Sequence, residues 1–165
     1  MNLVEFCSRL DVRLSSLPSD TERLEAMANA ISQAFKAEVA IFMFDDKQEI
    51  VSFLWPVRLR KAGTLPLSAH NSLVTKTIRE KRPFLDNSFF TTPHASIFEQ
   101  FRLDAETSPQ PIQKIMSAPL SRNGEIKGVI QVSRKGPSGE SAGDDFSANQ
   151  LAALNTIAEV VARFI

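Results

Sequence analysis

The chain has 165 residues, 43% of them hydrophobic, which suits one buried core and is short for two. Nineteen basic residues offset nineteen acidic ones, so no net field draws the protein toward nucleic acid or an anionic membrane. A single cysteine, Cys7, excludes an internal disulfide framework and any multi-cysteine metal site.

Leu3, Phe6, Leu10, Leu14 and Leu17 fall at helical spacing and predict an amphipathic helix from Asn2 to Leu17. The segment contains Glu5 and Asp11 and lacks the basic-then-apolar order of a secretory signal. Pro18 interrupts the pattern. Ser19 with Glu22 then reads as a capping box for a second helix ending near Ala37. Glu38 to Phe44 follows as a strand, its four consecutive apolar residues Ile41 to Phe44 implying burial on both faces. The longest apolar run, Val39 to Phe44, is far below the ~20 residues that span a bilayer. A soluble, cytoplasmic protein is therefore expected. Ile50 to Trp55 is the returning strand, ended by Pro56.

From Val57 to Pro83 the chain turns basic, with Arg58, Arg60, Lys61, Lys76, Arg79, Lys81 and Arg82 against a lone Glu80. It holds a short extended piece, Thr64 to Leu67, and a helix from Ala69 to Lys81. Pro83 to Asp86 reads as a short strand. Asn87 to Pro111 is irregular apart from a short helical candidate, Ser96 to Arg102, and a connection of that length in a compact domain is usually functional or disordered. Five phenylalanines from Phe84 to Phe101 argue against simple disorder.

Two apolar runs, Ile115 to Leu120 and Ile126 to Val132, flank Asn123-Gly124, a pair suited to a two-residue I′ hairpin turn. With Arg122 opposite Glu125, Met116, Ala118 and Leu120 share one face with Gln131, Val129 and Lys127. Ile115, Ser117 and Pro119 share the other with Val132, Ile130 and Gly128. Both faces are apolar, so helices elsewhere in the chain must cover each side. Pairing beyond the first of these strands should be interrupted at Pro119. After a polar loop from Gly136 to Gly143, Ser147 and Gln150 form a capping box for a last helix carrying Leu151, Leu154, Ile157, Val161 and Phe164.

The order helix, two-stranded meander, crossover with a helix, hairpin and helix resembles the GAF domain. SLVTKTIREKRPFLD (Ser72 to Asp86), SAPLSRNGEIKGVIQVSRK (Ser117 to Lys135), DDFSANQLAALNTIAEVVA (Asp144 to Ala162) and the first strand, AIFMFDD, carry the resemblance across residues 19–165, behind an additional helix at 1–18. It implies a three-layer α/β/α, profilin-like α+β fold. Its antiparallel sheet would have the order 2-1-5-4-3, with the terminal helices on one face and any ligand on the other, under the crossover. It also implies a sensory or regulatory module coupled to a signalling output domain or protein. A stand-alone module and a piece of a larger protein both fit.

The aromatic crossover is the ligand-site candidate. Phe53, Trp55, Phe84, Phe90, Phe98 and Phe101 could wall a pocket, with Asp86, His94 and Arg102 as polar groups. The same rings could equally fill a second layer of core. An anion-receiving helix N-terminus near Ala69 to Asn71 competes with the plainer reading of the basic run as a solvated face.

Within the resemblance, the Asn-Lys-x-Phe-x-Asp-Glu signature of cyclic-nucleotide binders is missing, since Asn87 onward reads NSFFTTPH. Bilin attachment would need a cysteine at the pocket, whereas Cys7 sits on the first helix's buried stripe. Haem would need His70 or His94. The free methionine-(R)-sulfoxide reductase branch needs an attacking and a resolving thiol, and Cys7 is the single cysteine. No catalysis is expected. The apolar stripe of the extra first helix suggests a homodimer joined through the terminal helices. A ligand-free dimerisation or interaction scaffold is the alternative.

Overall fold

The computed structural model describes residues 1–92 and 110–165. Asn2 caps α1 (Leu3–Ser16), its side chain accepting the Glu5 N–H at 3.1 Å. Ser19 caps α2 (Asp20–Phe35), accepting from the Glu22 N–H at 3.2 Å and donating its hydroxyl to the Glu22 carboxylate at 2.9 Å. Lys36, at φ 50°, ends the helix in the left-handed region. β1 (Glu38–Asp45) and β2 (Ile50–Trp55) form the meander. A 3-10 turn (Val57–Ala62) leads to β3 (Thr64–Pro66).

The crossover continues through α3 (Leu73–Glu80), β4 (Phe84–Asp86) and a 3-10 turn (Phe89–Thr91). α3 begins four residues later than its sequence predicts. The Ala69 carbonyl accepts from Thr75 Oγ1 at 2.8 Å and from the Arg79 guanidinium at 3.1 Å, so side chains hold it outside the helix that starts at the Ser72 cap. β5 (Ile112–Arg122) and β6 (Glu125–Lys135) form the hairpin. α4 (Ala148–Val161) closes the fold with a complete Ser147–Gln150 capping box.

The sheet is antiparallel in the order β3-β2-β1-β6-β5-β4. Five strands keep the predicted relative order, and β3 adds a sixth at the edge beyond β2. β4 pairs with β5 from Ile115 to Ser117 and goes no further toward Pro119.

Leu10, Leu14, Met27, Ile31, Ile41, Met116, Leu120, Ile130, Leu154 and Ile157 belong to a core between one sheet face and α1, α2 and α4. Ala40, Phe42, Val51, Phe53, Val74, Ile78, Phe89, Ile112, Ile115 and Val129 form a second core under α3. The buried four-residue run in β1 is Val39 to Phe42; Met43 is 45% exposed.

Two of the sheet's bulges reset the side-chain alternation at its centre. The Asn123-Gly124 turn has the expected positive φ at both residues, 53° and 79°, and Arg122 faces Glu125. Beyond the pair Ser121–Ile126, however, Leu120 faces Gly128, leaving Lys127 as an extra residue. Every later β6 side chain therefore takes the face opposite to the one a regular register predicts. Ile130 and Val132 join Met116 and Ala118 on the helical side, while Val129 and Gln131 turn toward α3 with Ser117. A second bulge pairs Ile41 with Trp55 but Phe42 with Phe53, so Leu54 is extra and Trp55 packs on the helical side.

Candidate functional site

The face of the sheet under α3 holds a cavity of about 100 Å³. Phe42 comes from β1, Val51 and Phe53 from β2, Ile115 from β5 and Gln131 from β6. Leu65 of β3 and the first residues of α3, Leu73 and Val74, close the sides, with Phe89 and Ile112 beyond. The Phe42 and Phe53 rings lie 4.6 Å apart, tilted by 37°, a favourable offset contact that fixes both side chains on this wall.

The wall is mostly apolar, its polar members being Ser52, Thr64, Ser72 and Gln131, and Gln131 heads a buried polar chain. Gln131 Nε2 lies 3.3 Å from Ser117 Oγ, Ser117 Oγ lies 2.7 Å from Thr77 Oγ1, and Thr77 Oγ1 donates to the Leu73 carbonyl at 2.8 Å. Ser117 and Thr77 are fully buried. Ser72 also lines the cavity, and its Oγ accepts from the Thr75 N–H at 3.4 Å.

Of the nine residues expected to line a pocket, Phe53 does so. Trp55 is carried to the helical side by the β2 bulge. Phe84 lies on β4 with Lys76 Nζ 4.6 Å and the Arg82 guanidinium 4.1 Å from its ring centre, outside the cavity. The Asp86 carboxylate is occupied by the Ser88 N–H and the Thr92 hydroxyl, each at 2.8 Å, and stabilises the turn after β4. Phe90 points outward, 57% exposed, and its neighbour Phe89 takes the wall. His94, Phe98, Phe101 and Arg102 fall outside the described residues, as does the helical candidate Ser96 to Arg102. Gln131 escaped the sequence reading although it is a lone amide within the apolar run GVIQV, a pattern that demands either a partner or a polar task.

The basic crossover is partly structural. Arg79 donates to the carbonyl of Leu67 at 2.6 Å and Arg60 to that of Leu54 at 2.9 Å. Cys7 lies on α1, packed against the helical-side core and so across the sheet from the cavity. Burial, and then the Glu159 carboxylate, push its thiol above the usual range. Among the described residues, no three His, Cys, Asp or Glu side chains gather to hold a metal, and no helix is long and apolar enough to cross a membrane.

An antiparallel sheet with three helices on one face, and a crossover helix roofing an apolar cavity on the other, defines a three-layer domain of the kind the sequence resembles. The GAF domain family matches residues 19–165, and the chain belongs to that family. Solved structures agree on the fold. The GAF domain of the Acinetobacter phosphoenolpyruvate-protein phosphotransferase superimposes with a TM-score of 0.72 at 18% identity, over 99% of this chain and 93% of that one. The corresponding Coxiella burnetii domain gives 0.74 at 14% identity, over 99% and 92%. The Neisseria meningitidis free methionine-R-sulfoxide reductase, solved with its substrate, gives 0.69 at 12% identity, over 98% and 87%. A comparison with curated proteins found no match.

Proposed function

We propose that this GAF domain is a non-catalytic sensory or regulatory module that binds a small molecule in the cavity between the sheet and α3, and signals through its terminal helices. The cavity itself carries this reading: a mostly apolar recess with a few polar groups is the form small-molecule sites take, and at about 100 Å³ this one is smaller than the usual drug-sized site. Binding there would bear on Phe89 and Ile112 at the cavity wall, and on α4 through β5. The response would be a population shift. The likeness to GAF domains of phosphotransferases supports a signalling output domain or protein as the partner.

The absence of catalysis rests on chemistry. Sulfoxide reduction needs an attacking and a resolving thiol, and the one cysteine lies across the sheet from the cavity. Homodimerisation rests on α1. Its Leu10 and Leu14 are spent on the molecule's own core, so a partner would meet Val4 and Val12, which are 81% and 67% exposed.

Native mass spectrometry of the purified chain, repeated under denaturing conditions, tests both parts. The expected result is a dimer carrying extra mass that disappears on denaturation. A dimer of bare chains that no metabolite stabilises in a thermal-shift screen would favour the ligand-free scaffold instead.

A further inference from the structure

We infer that the cavity selects a small, largely apolar molecule bearing a hydrogen-bond donor, because Gln131 presents its amide oxygen in an orientation that a one-way chain of hydrogen bonds fixes. The inference rests on the ligand-binding reading above and narrows it to a chemical class. Thr77 Oγ1 has one proton and gives it to the Leu73 carbonyl at 2.8 Å, since a carbonyl can only accept. At 2.7 Å from Ser117 Oγ, Thr77 must then be the acceptor. Ser117 has thereby spent its own proton and can only accept from Gln131, 3.3 Å away.

The amide nitrogen must therefore face Ser117, because the flipped amide would set two acceptors against each other. That leaves Gln131 Oε1 as an unpaired acceptor, beside the second amide N–H that the Ser117 contact does not use. Among the described residues Oε1 receives no hydrogen bond, although Gln131 is only 7% exposed and forms part of the cavity wall. An acceptor held this way disfavours any occupant that leaves it unpaired more strongly than it rewards one that pairs it. A cavity of about 100 Å³ limits that occupant to roughly the size of a single small ring.

Pyrrole and furan test the assignment. The two rings are nearly equal in size, but pyrrole donates an N–H whereas furan can only accept. Amide chemical-shift titrations of the full chain give a Kd for each. Pyrrole should bind the wild type more tightly, and the preference over furan should fall roughly fivefold to tenfold in Gln131→Met, which keeps the length of the side chain and removes its acceptor.

Ser117→Ala provides an independent variant. It retains Gln131 but frees the amide to rotate, and the preference should shrink there too. An unchanged preference in both variants, or furan binding the wild type as well as pyrrole does, would overturn the donor assignment while leaving the cavity as a site. Failure of either ring to shift any cavity residue would instead overturn the ligand-binding reading, and this inference with it.

Discussion

Gly128 is a position where one methyl group would meet backbone. A Cβ built there lies 2.0 Å from the Phe42 carbonyl oxygen and 3.2 Å from its carbon, in the middle of the sheet where neither strand can move aside. Gly128→Ala should therefore cost about 3 kcal/mol or more in a denaturant titration. Gly139→Ala, in open space, should stay within about 0.5 kcal/mol of wild type. Equal stability of the two variants would refute the close contact.

The same residue explains what was hidden at this scale. Gly128 sits next to the bulged Lys127, and the bulge is what turns Gln131 and Val129 toward α3. A bulge in β6 answers to the neighbouring strand β1 as well as to its own turn, and sequence alternation carries no trace of it. Trp55 packs on the helical side for a related reason, the extra Leu54 in β2.

At the scale of elements, caps and turns were plain in the sequence because their chemistry is local. Ser147 with Gln150 and Asn123 with Gly124 each act within four residues, and each forms as read. Longer-range ties were not visible. Asn87 donates its amide to the Phe146 carbonyl and accepts the Phe146 N–H, both at 2.9 Å, joining the end of β4 to the residue before the α4 cap. Arg134 lies 4.2 Å from the Phe146 ring centre and donates to the Phe35 carbonyl at 2.6 Å, so the start of α4 and the end of α2 share one anchor. Asn87→Ala should cost about 1–3 kcal/mol, since it leaves two backbone groups of Phe146 without partners. Amide exchange in the first turn of α4 should quicken. A loss below about 0.5 kcal/mol with unchanged exchange would show that the tie is dispensable.

Across the whole molecule, the sheet separates two tasks. The helical side is filled by α1, α2 and α4, whose large side chains Leu14, Met27, Ile31, Leu154 and Ile157 are fully buried. The α3 side is incompletely filled, and the cavity is what remains. The three-layer arrangement could be read from the sequence because apolar residues on both sheet faces require two covers. Of the described residues expected to line a pocket, Phe53 alone reaches the cavity wall; the wall residues from the strands depend on register, and Phe89 on which of two adjacent rings turns inward.

The most direct test of a ligand site on this side is to fill it. Val74, on α3 at the cavity wall, is 6% exposed, and Val74→Phe would place a ring in the recess at an overpacking cost of about 1–3 kcal/mol. A small-molecule fragment library screened by ligand-observed NMR against wild type and Val74→Phe should yield binders to the wild type that lose contact with the folded variant. Fragments that bind both proteins alike would place recognition elsewhere and contradict the account.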